Sequence, residues 1–202
     1  MPLRMIRKLS TWVKQDYRRL LESTRANTGA RALNLGCGSR PMPGFLNVDL
    51  VAGSGVDQVV DLEQPLPFDD MSFDLVVADN VFEHIRNYLA LLQECSRILR
   101  PGGTLVVDVP YFRSAGAFID PTHCNYFTLR SMRYFVPDTY ESRHYRYLPL
   151  LFSSVQVVVD PHRQRIGSAW TSLIANKRPE WIEGTVLAAL LPIASVRFVL
   201  QK

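Results

Sequence analysis

The feature that most constrains this chain is a Gly-x-Gly turn, Gly36-Cys37-Gly38, directly after the apolar run ALNL. A strand that enters such a turn leaves two positions without side chains, so the backbone can approach a ligand closely. A second apolar run is followed by Asp49, where α/β folds place an acid for the ribose hydroxyls of a bound nucleoside. The two features predict an α/β fold with a nucleoside site; a plain tight turn and an acid that caps a surface turn are the alternatives.

The chain between this turn and Asp49 is short and contains Pro41, Pro43 and Gly44. These residues disfavour a regular helix, so the helix N-terminus that would face a pyrophosphate is missing or shortened. A nicotinamide dinucleotide would lose its main partner there. The segment therefore favours a nucleoside ligand without phosphates, and S-adenosylmethionine is such a ligand.

Short β-rich runs continue along the chain up to residue 110. Several are apolar almost throughout, which is typical of strands buried on both faces of a parallel sheet. They read ALNLG, FLNVDL, QVVDL, FDLVVAD and TLVVDVP. Residues 81–100, between the last two runs, predict a crossover helix, for which Asn80 and Glu83 have the spacing of an N-cap and its partner in a capping box.

The two ends of the chain carry different patterns. Residues 1–25 predict a basic amphipathic helix, which either packs on the domain or lies on a membrane surface. Toward the C-terminus, residues 152–160 and 194–202 predict strands, and residues 181–192 predict a short apolar helix. We expect one domain over residues 1–202, because nothing in the sequence indicates a linker or an internal repeat.

Composition and charge disfavour several classes of function. The net charge is only +4 and no nucleic-acid recognition module is visible, so we rank nucleic acid below small molecules as a substrate.

The cysteines Cys37, Cys95 and Cys124 are scattered, and no histidine or cysteine cluster has metal-ligand spacing, so we expect neither a disulfide framework nor a metal. The N-terminus lacks a secretory signal pattern, which favours the cytoplasm, with peripheral membrane contact through the basic helix as an alternative.

Several segments together resemble the class I S-adenosylmethionine-dependent methyltransferases, in particular the small type 11 methyltransferase domain. The similar segments, which cover residues 31–110, are LNLGCG, NVDL, VVDLEQPLPFDDMSFDLVVADNVFEHI and LLQECSRILRPGGTLVVDVP. The resemblance implies a Rossmann-like doubly wound sheet of about seven mostly parallel strands with an antiparallel last strand. Residues 31–110 would then be the cofactor half, and residues 111–202 the substrate half with a helical insertion.

The resemblance also assigns cofactor-binding positions. Gly36, Cys37 and Gly38 would lie at the methionine part of S-adenosylmethionine, Asp49 and Leu50 at the ribose, Asp61 and Leu62 at the adenine, and Asp79 and Asn80 at the methionyl amino group. Asn34 stands where the family often has an acid. That difference leaves open how the methionyl ammonium is neutralised.

The loop after the fifth predicted strand is placed to meet the methyl acceptor. It contains Asp120-Pro121-Thr122-His123, a sequence that recurs in a subset of these methyltransferases resembling enzymes of glycan or envelope biosynthesis. His123 is a candidate general base and Asp120 a candidate to orient it; alternatively, Asp120 and Thr122 only hold the loop while His123 lines the wall. His84 either faces the pocket or is incidental. We predict methyl transfer to a small-molecule or glycan-type acceptor, with a catalytically inactive binding or scaffold protein as the alternative.

Overall fold

The computed structural model describes residues 29–146, 148–160, 166–191 and 193–202. The amphipathic helix predicted for residues 1–25 lies outside the described residues. Within them, the chain forms a sheet flanked by helices. Of the described helices, none is long and apolar enough to cross a lipid bilayer.

The sheet has seven strands in the order β3-β2-β1-β4-β5-β7-β6. The strands are β1 (Ala32–Leu35), β2 (Leu46–Asp49), β3 (Gln58–Val59), β4 (Phe73–Asp79), β5 (Leu99–Pro110), β6 (Ser154–Val159) and β7 (Ser195–Gln201). The pairs among β1 to β5 are parallel, whereas β7 runs antiparallel to both β5 and β6. This arrangement confirms the predicted Rossmann-like sheet with an antiparallel last strand.

Apolar side chains alternate across the central strands and bury both faces of the sheet. Leu33 and Leu35 of β1 point into the larger cluster, while Ala32 points into a smaller cluster on the opposite face. Phe45, from the segment between β1 and β2, packs in that smaller cluster. Residues 36–45, all of which the structure describes, contain no helix, as the prolines and glycines predict. The short crossover therefore brings β2 beside β1 without covering the turn that follows β1.

The described helices all lie between strands in the chain. They are α1 (Tyr88–Ile98), α2 (Gly116–Ile119), a 3₁₀ helix (Ser131–Phe135), α3 (Tyr140–His144), α4 (Ile166–Lys177), α5 (Pro179–Glu183) and α6 (Leu187–Leu190). Residues 181–192, predicted as one helix, instead contain the end of α5 and all of α6, which Gly184 separates.

The predicted start of the crossover helix is wrong. Helix α1 begins at Tyr88, and its N-cap is Asn87, whose side chain accepts a hydrogen bond from the Ala90 N–H. Asn80 instead adopts a positive φ of 54° at the end of β4, a conformation that ends the strand and cannot start a helix. Residues 81–87 form turns, so Glu83 is not the capping partner that its spacing predicts.

Strands β5 and β7 are joined by a buried ion pair as well as by backbone hydrogen bonds. Asp108 and Arg197 face each other in the strand register, and Arg197 Nε and Nη2 donate to the Asp108 carboxylate at 2.7–3.0 Å. Both residues are buried. The pair fixes the register at a point where the apolar pattern of β7 is interrupted.

Candidate cofactor and acceptor site

The turn after β1 is built around backbone conformations that glycine adopts most easily. Gly36 and Gly38 have φ values of +60° and +51°, in the left-handed region where a side chain is strained. A methyl group on Gly36 would also lie 2.6 Å from Cγ2 of Val81. At Gly38 nothing lies within 4 Å of that position, so this side of the turn is open.

Asp49, the last residue of β2, lies against this turn. Its Oδ2 accepts a hydrogen bond from the Gly38 N–H at 2.7 Å, and its Oδ1 accepts one from the Val51 N–H at 3.2 Å. A carboxylate has about four acceptor positions, so both oxygens can accept further donors. The glycine turn and the acid predicted to act together are thus in direct contact.

A cavity of about 350 Å³ opens beside Asp49 and the turn. Its wall is formed by the glycine turn, the ends of β2 and β4, and the loop after β3. The lining residues are Gly36, Asp49, Leu50, Asp61, Leu62, Glu63, Asn80, Val81, His84 and Ile85. All ten predicted cofactor-binding residues are described in the structure, and six of them are in this wall.

The charged side chains of this wall are mainly acidic. Asp49, Asp61 and Glu63 contribute carboxylates, and among the described residues that line the cavity there is no lysine or arginine. Such a wall suits a ligand with positive charge and disfavours phosphates. Glu63 also has a structural task, since its Oε1 accepts a hydrogen bond from the Arg86 N–H at 2.7 Å.

Asn34 and Cys37, two of the remaining predicted residues, have buried side chains. The Asn34 amide donates to Asn47 Oδ1 at 3.0 Å, which joins β1 to β2. Burial, followed by the charge of Asp49, raises the pKa of the Cys37 thiol. Neither residue is among the described residues that line the cavity.

The end of β4 brings Asp79 and Asn80 to the edge of the cavity. The Asn80 side chain donates to Asp79 Oδ1 at 2.8 Å, and its backbone N–H donates to the carbonyl of Asp108 at 2.9 Å. Arg40 Nη1 lies 3.6 Å from Asp79 Oδ2. Asn80 is among the residues that line the cavity, whereas Asp79, which precedes it in the chain, is not.

The predicted acceptor loop lies next to this cavity, but its hydrogen bonds differ from the prediction. Asp120 Oδ1 accepts from the backbone N–H and the hydroxyl of Thr122, at 2.9 and 2.7 Å. These bonds lower the pKa of the Asp120 carboxyl. Thr122 Oγ1 lies 2.8 Å from Nδ1 of His84, while Nδ1 of His123 lies 3.0 Å from the carbonyl of Ala117. Asp120 is thus linked through Thr122 to His84, and a backbone carbonyl orients His123.

His84 connects the two halves of the site. It lines the cofactor cavity, and its ring centroid lies 4.6 Å from that of His123 in an edge-to-face arrangement. Burial, and then the nearby His123, lower the pKa of His84. The sequence left open whether His84 faces the pocket or is incidental, and the structure has it in the cavity wall.

Glu83, predicted as the partner in a capping box, is instead a buried side chain. Its side chain is 1% exposed, and neither carboxyl oxygen has a hydrogen-bond partner among the described residues. Burial, with nearby acids adding to it, raises the pKa of Glu83 to about 8. A buried carboxyl group without a partner is rare and costly.

Comparisons with known proteins agree with this geometry. A family model described as "Methyltransferase domain" matches residues 41–107. A probable S-adenosylmethionine-dependent methyltransferase of Mycolicibacterium smegmatis is 44% identical over 45 residues, which are 22% of this chain and 18% of that protein. A demethylmenaquinone methyltransferase of Staphylococcus saprophyticus is 35% identical over 69 residues, which are 34% of this chain and 26% of that protein. The aligned part therefore spans only about a fifth to a quarter of these relatives' length.

The fold comparison extends over nearly the whole chain. A crystal structure of an S-adenosylmethionine-dependent methyltransferase from Archaeoglobus fulgidus superposes with a TM-score of 0.61 and 18% identity, covering 96% of this chain and 94% of that one. At this identity the likeness concerns the fold. Together with the family match over the cofactor half, it confirms the resemblance predicted from the sequence. Residues 41–107 thus match a methyltransferase domain, within a fold like that of an S-adenosylmethionine-dependent methyltransferase.

Proposed function

We propose that this chain transfers the methyl group of S-adenosylmethionine to a hydroxyl group of a small-molecule or glycan-type acceptor. The observation that carries the proposal is the cavity in which the Gly36–Gly38 turn and the Asp49 carboxylate meet, in a wall that carries acids and no lysine or arginine among its described residues. This combination suits an adenosine whose tail is cationic and carries no phosphate.

The cavity has a place for each part of this cofactor. The Asp49 carboxylate has unused acceptor positions for ribose hydroxyls, and Leu62 offers an apolar surface beside Asp61 for the adenine. The open side of Gly38 lets the methionine part approach the backbone. The methionyl ammonium would find its acceptors at the end of β4, where Asn80 lines the cavity.

The reaction is an in-line displacement. The acceptor oxygen forms a bond to the methyl carbon while the bond from that carbon to sulfur breaks, and the electron pair of that bond stays on sulfur. The leaving group needs no proton, so alignment and exclusion of water make up most of the catalysis. The hydroxyl proton passes to a base on the acceptor side.

His123 is our candidate for that base. Because a carbonyl oxygen can only accept, the contact between Nδ1 of His123 and the carbonyl of Ala117 makes Nδ1 the donor. In the neutral ring, Nε2 then carries the lone pair and can take the proton of the hydroxyl. The neighbouring His84 lines the cofactor cavity, which supports a role for His123 on the acceptor side of that cavity.

The first test is calorimetric titration of the purified chain with S-adenosylmethionine. We expect binding in the parent and a loss of affinity of about 100-fold or more in Asp49→Ala, since each bound ribose hydroxyl loses a charged acceptor. Asp57→Ala is not a suitable control because Asp57 accepts a hydrogen bond from the Asn47 N–H. Asp138→Ala, on an exposed turn, is the control and should bind as the parent does.

The second test identifies the acceptor. The protein and methyl-labelled cofactor are incubated with candidate glycans and metabolites, and products are detected by their mass shift. Absence of cofactor binding would overturn the proposal. Binding of the cofactor with no turnover on any acceptor class would instead favour the inactive scaffold protein.

A further inference from the structure

A second group of side chains stands beside the cofactor cavity. Glu83, His84 and His123 each offer one ligand atom, and these atoms all lie within 4.8 Å of one another. Glu83 and His84 come from the turns that follow β4, whereas His123 comes from the loop after α2. The three residues thus converge only in the folded chain.

The hydrogen bonds around the two histidines determine which nitrogen is available. The Thr122 hydroxyl donates to Asp120 Oδ1 at 2.7 Å, so Thr122 Oγ1 is left to accept from Nδ1–H of His84. Nδ1–H of His123 donates to the carbonyl of Ala117. In both neutral rings Nε2 therefore carries a lone pair and no proton. A histidine that ligates a metal commonly has this arrangement, with the second nitrogen held by a carbonyl or a carboxylate-linked group.

Glu83 supplies the second, independent observation. Its carboxyl group is 1% exposed and neither oxygen has a partner among the described residues, which leaves a polar group that the protein's own contacts do not satisfy. Asp79, Asp108 and Asp120 lie close enough to add negative potential at Glu83. A cation at this place would satisfy the carboxylate and reduce the repulsion from these acids.

We infer that Glu83, His84 and His123 form a binding site for a divalent transition metal ion, most readily Zn²⁺. Two imidazole nitrogens and one carboxylate are a donor set typical of zinc and of other first-row divalent ions, and three protein ligands leave a position for an exogenous oxygen. This inference reverses the expectation from the sequence, which found no cluster with metal-ligand spacing.

The site itself does not depend on the proposed function, but its consequence for catalysis does. With a metal bound, Nε2 of His123 is a ligand and no longer a base. The acceptor hydroxyl would bind the ion, lose its proton to a solvent base, and attack the methyl carbon as an alkoxide while the electron pair of the C–S bond stays on sulfur. His84 lines the cofactor cavity, so an ion bound by it would lie at the edge of that cavity.

The experiment uses the full chain, free of any histidine tag, after dialysis against a chelator. Zn²⁺ or Co²⁺ is added, unbound metal is removed, and the metal content is measured by mass spectrometry together with the visible spectrum of the Co²⁺ form. We expect one ion per chain. We also expect Co²⁺ bands of a nitrogen and oxygen site, without the intense charge-transfer band of a thiolate.

Variants assign the ligands. His84→Ala, His123→Ala and Glu83→Gln should each weaken metal binding by at least about 100-fold, because each removes a ligand, while Thr122→Val, which removes only the partner of His84, should weaken it by about tenfold. His144→Ala is the matched control, because His144 is exposed on α3 and its Nδ1 contacts the carbonyl of Tyr140. Circular dichroism confirms that each variant is folded.

The outcomes separate this inference from the proposed function. No retained metal, or equal retention in the parent and in all three ligand variants, overturns the metal site. If metal is absent but S-adenosylmethionine binds and is turned over, His123 acts as the base. If metal binds in the parent and is lost in the ligand variants while the cofactor fails to bind, the metal site stands and the proposed function falls.

Discussion

The two halves of the candidate site differ in how the chain assembles them. The cofactor half rests on the Gly36–Gly38 turn and Asp49, which are close in sequence and are joined by a hydrogen bond from the Gly38 N–H to the Asp49 carboxylate. The acceptor half rests on Glu83, His84 and His123, which come from two loops. The first can be recognised from local spacing. The second exists only because the sheet brings the carboxyl ends of β4 and β5 side by side.

The electrostatic character of the two halves differs as well. The wall of the cofactor cavity is acidic and partly open to solvent, so its carboxylates remain available to a ligand. In the acceptor half the carboxyl group of Glu83 is buried, and its pKa is raised to about 8 by burial and then by nearby acids. One half thus carries carboxylates that suit a cationic cofactor, whereas the other brings together two imidazole rings and one buried carboxyl group.

The largest effect is expected from a change confined to the acceptor half. His123→Ala should lower kcat by about 100- to 10,000-fold, because it removes the proposed base or, with a metal bound, one of the metal ligands. The affinity for S-adenosylmethionine should stay within about threefold of the parent, since the cofactor half is intact. Single-turnover kinetics and calorimetry measure the two quantities separately. A parallel loss of both would mean that the halves are not independent.

The next effect concerns the sheet that holds the two halves together. Asp108→Ala leaves the Arg197 guanidinium buried without its carboxylate, which should lower the free energy of unfolding by about 3–5 kcal/mol. Urea denaturation checks this value. Arg143→Ala, which removes an exposed ion pair with Asp138, should change it by less than about 1 kcal/mol. Similar effects in the two variants would contradict a special role for the buried pair.

A smaller effect is expected when only the cofactor half is changed. Gly38→Ala places a side chain at a φ of +51°, which costs about 1–2 kcal/mol and should weaken S-adenosylmethionine binding by about tenfold. Gly102→Ala is a matched control, because Gly102 has a φ of +79° and open space around it but lies near the irregular start of β5. It should lower stability similarly and leave cofactor affinity unchanged.

The smallest effect tests the link between the halves. Thr122→Val removes the hydroxyl that accepts from Nδ1 of His84 and donates to Asp120. Without this hydrogen bond, which is worth about 1 kcal/mol, the His84 ring is held less firmly, and kcat/KM should fall by about fivefold. Thr128→Val, whose hydroxyl accepts from the Arg130 N–H away from the cavity, should keep the parent value. An unchanged kcat/KM in Thr122→Val would show that His84 needs no such support.

Much of the fold could be predicted because its signals are local. The apolar runs around Leu33, Val48 and Val76 indicate strands buried on both faces, and these residues are fully buried in the structure. Pro41 and Pro43 indicate a crossover without a helix, and residues 36–45 contain none. Each of these signals depends on neighbours within a few positions, which is the range over which sequence patterns are informative.

The start of the crossover helix could not be predicted in the same way. Asn80 and Glu83 have the spacing of a capping box, but hydrogen bonds from other segments decide the outcome. The Asn80 N–H donates to the carbonyl of Asp108, and Glu63 accepts from the N–H of Arg86 just before Asn87 caps the helix. These distant partners hold residues 81–87 in turns, and that arrangement is what buries Glu83 beside His123.

The sequence by itself determined the order of the strands, the crossover without a helix after the first strand, and the glycine turn with its partner acid. The physical reason is that backbone conformation and amphipathic periodicity are properties of short stretches of chain. Only the tertiary structure decided the environment of Glu83, the tautomers of His84 and His123, and the partner of Asp120. Burial, hydrogen bonding and electrostatic potential depend on every group nearby in space, and residues 83 and 123 become neighbours only once the sheet has formed.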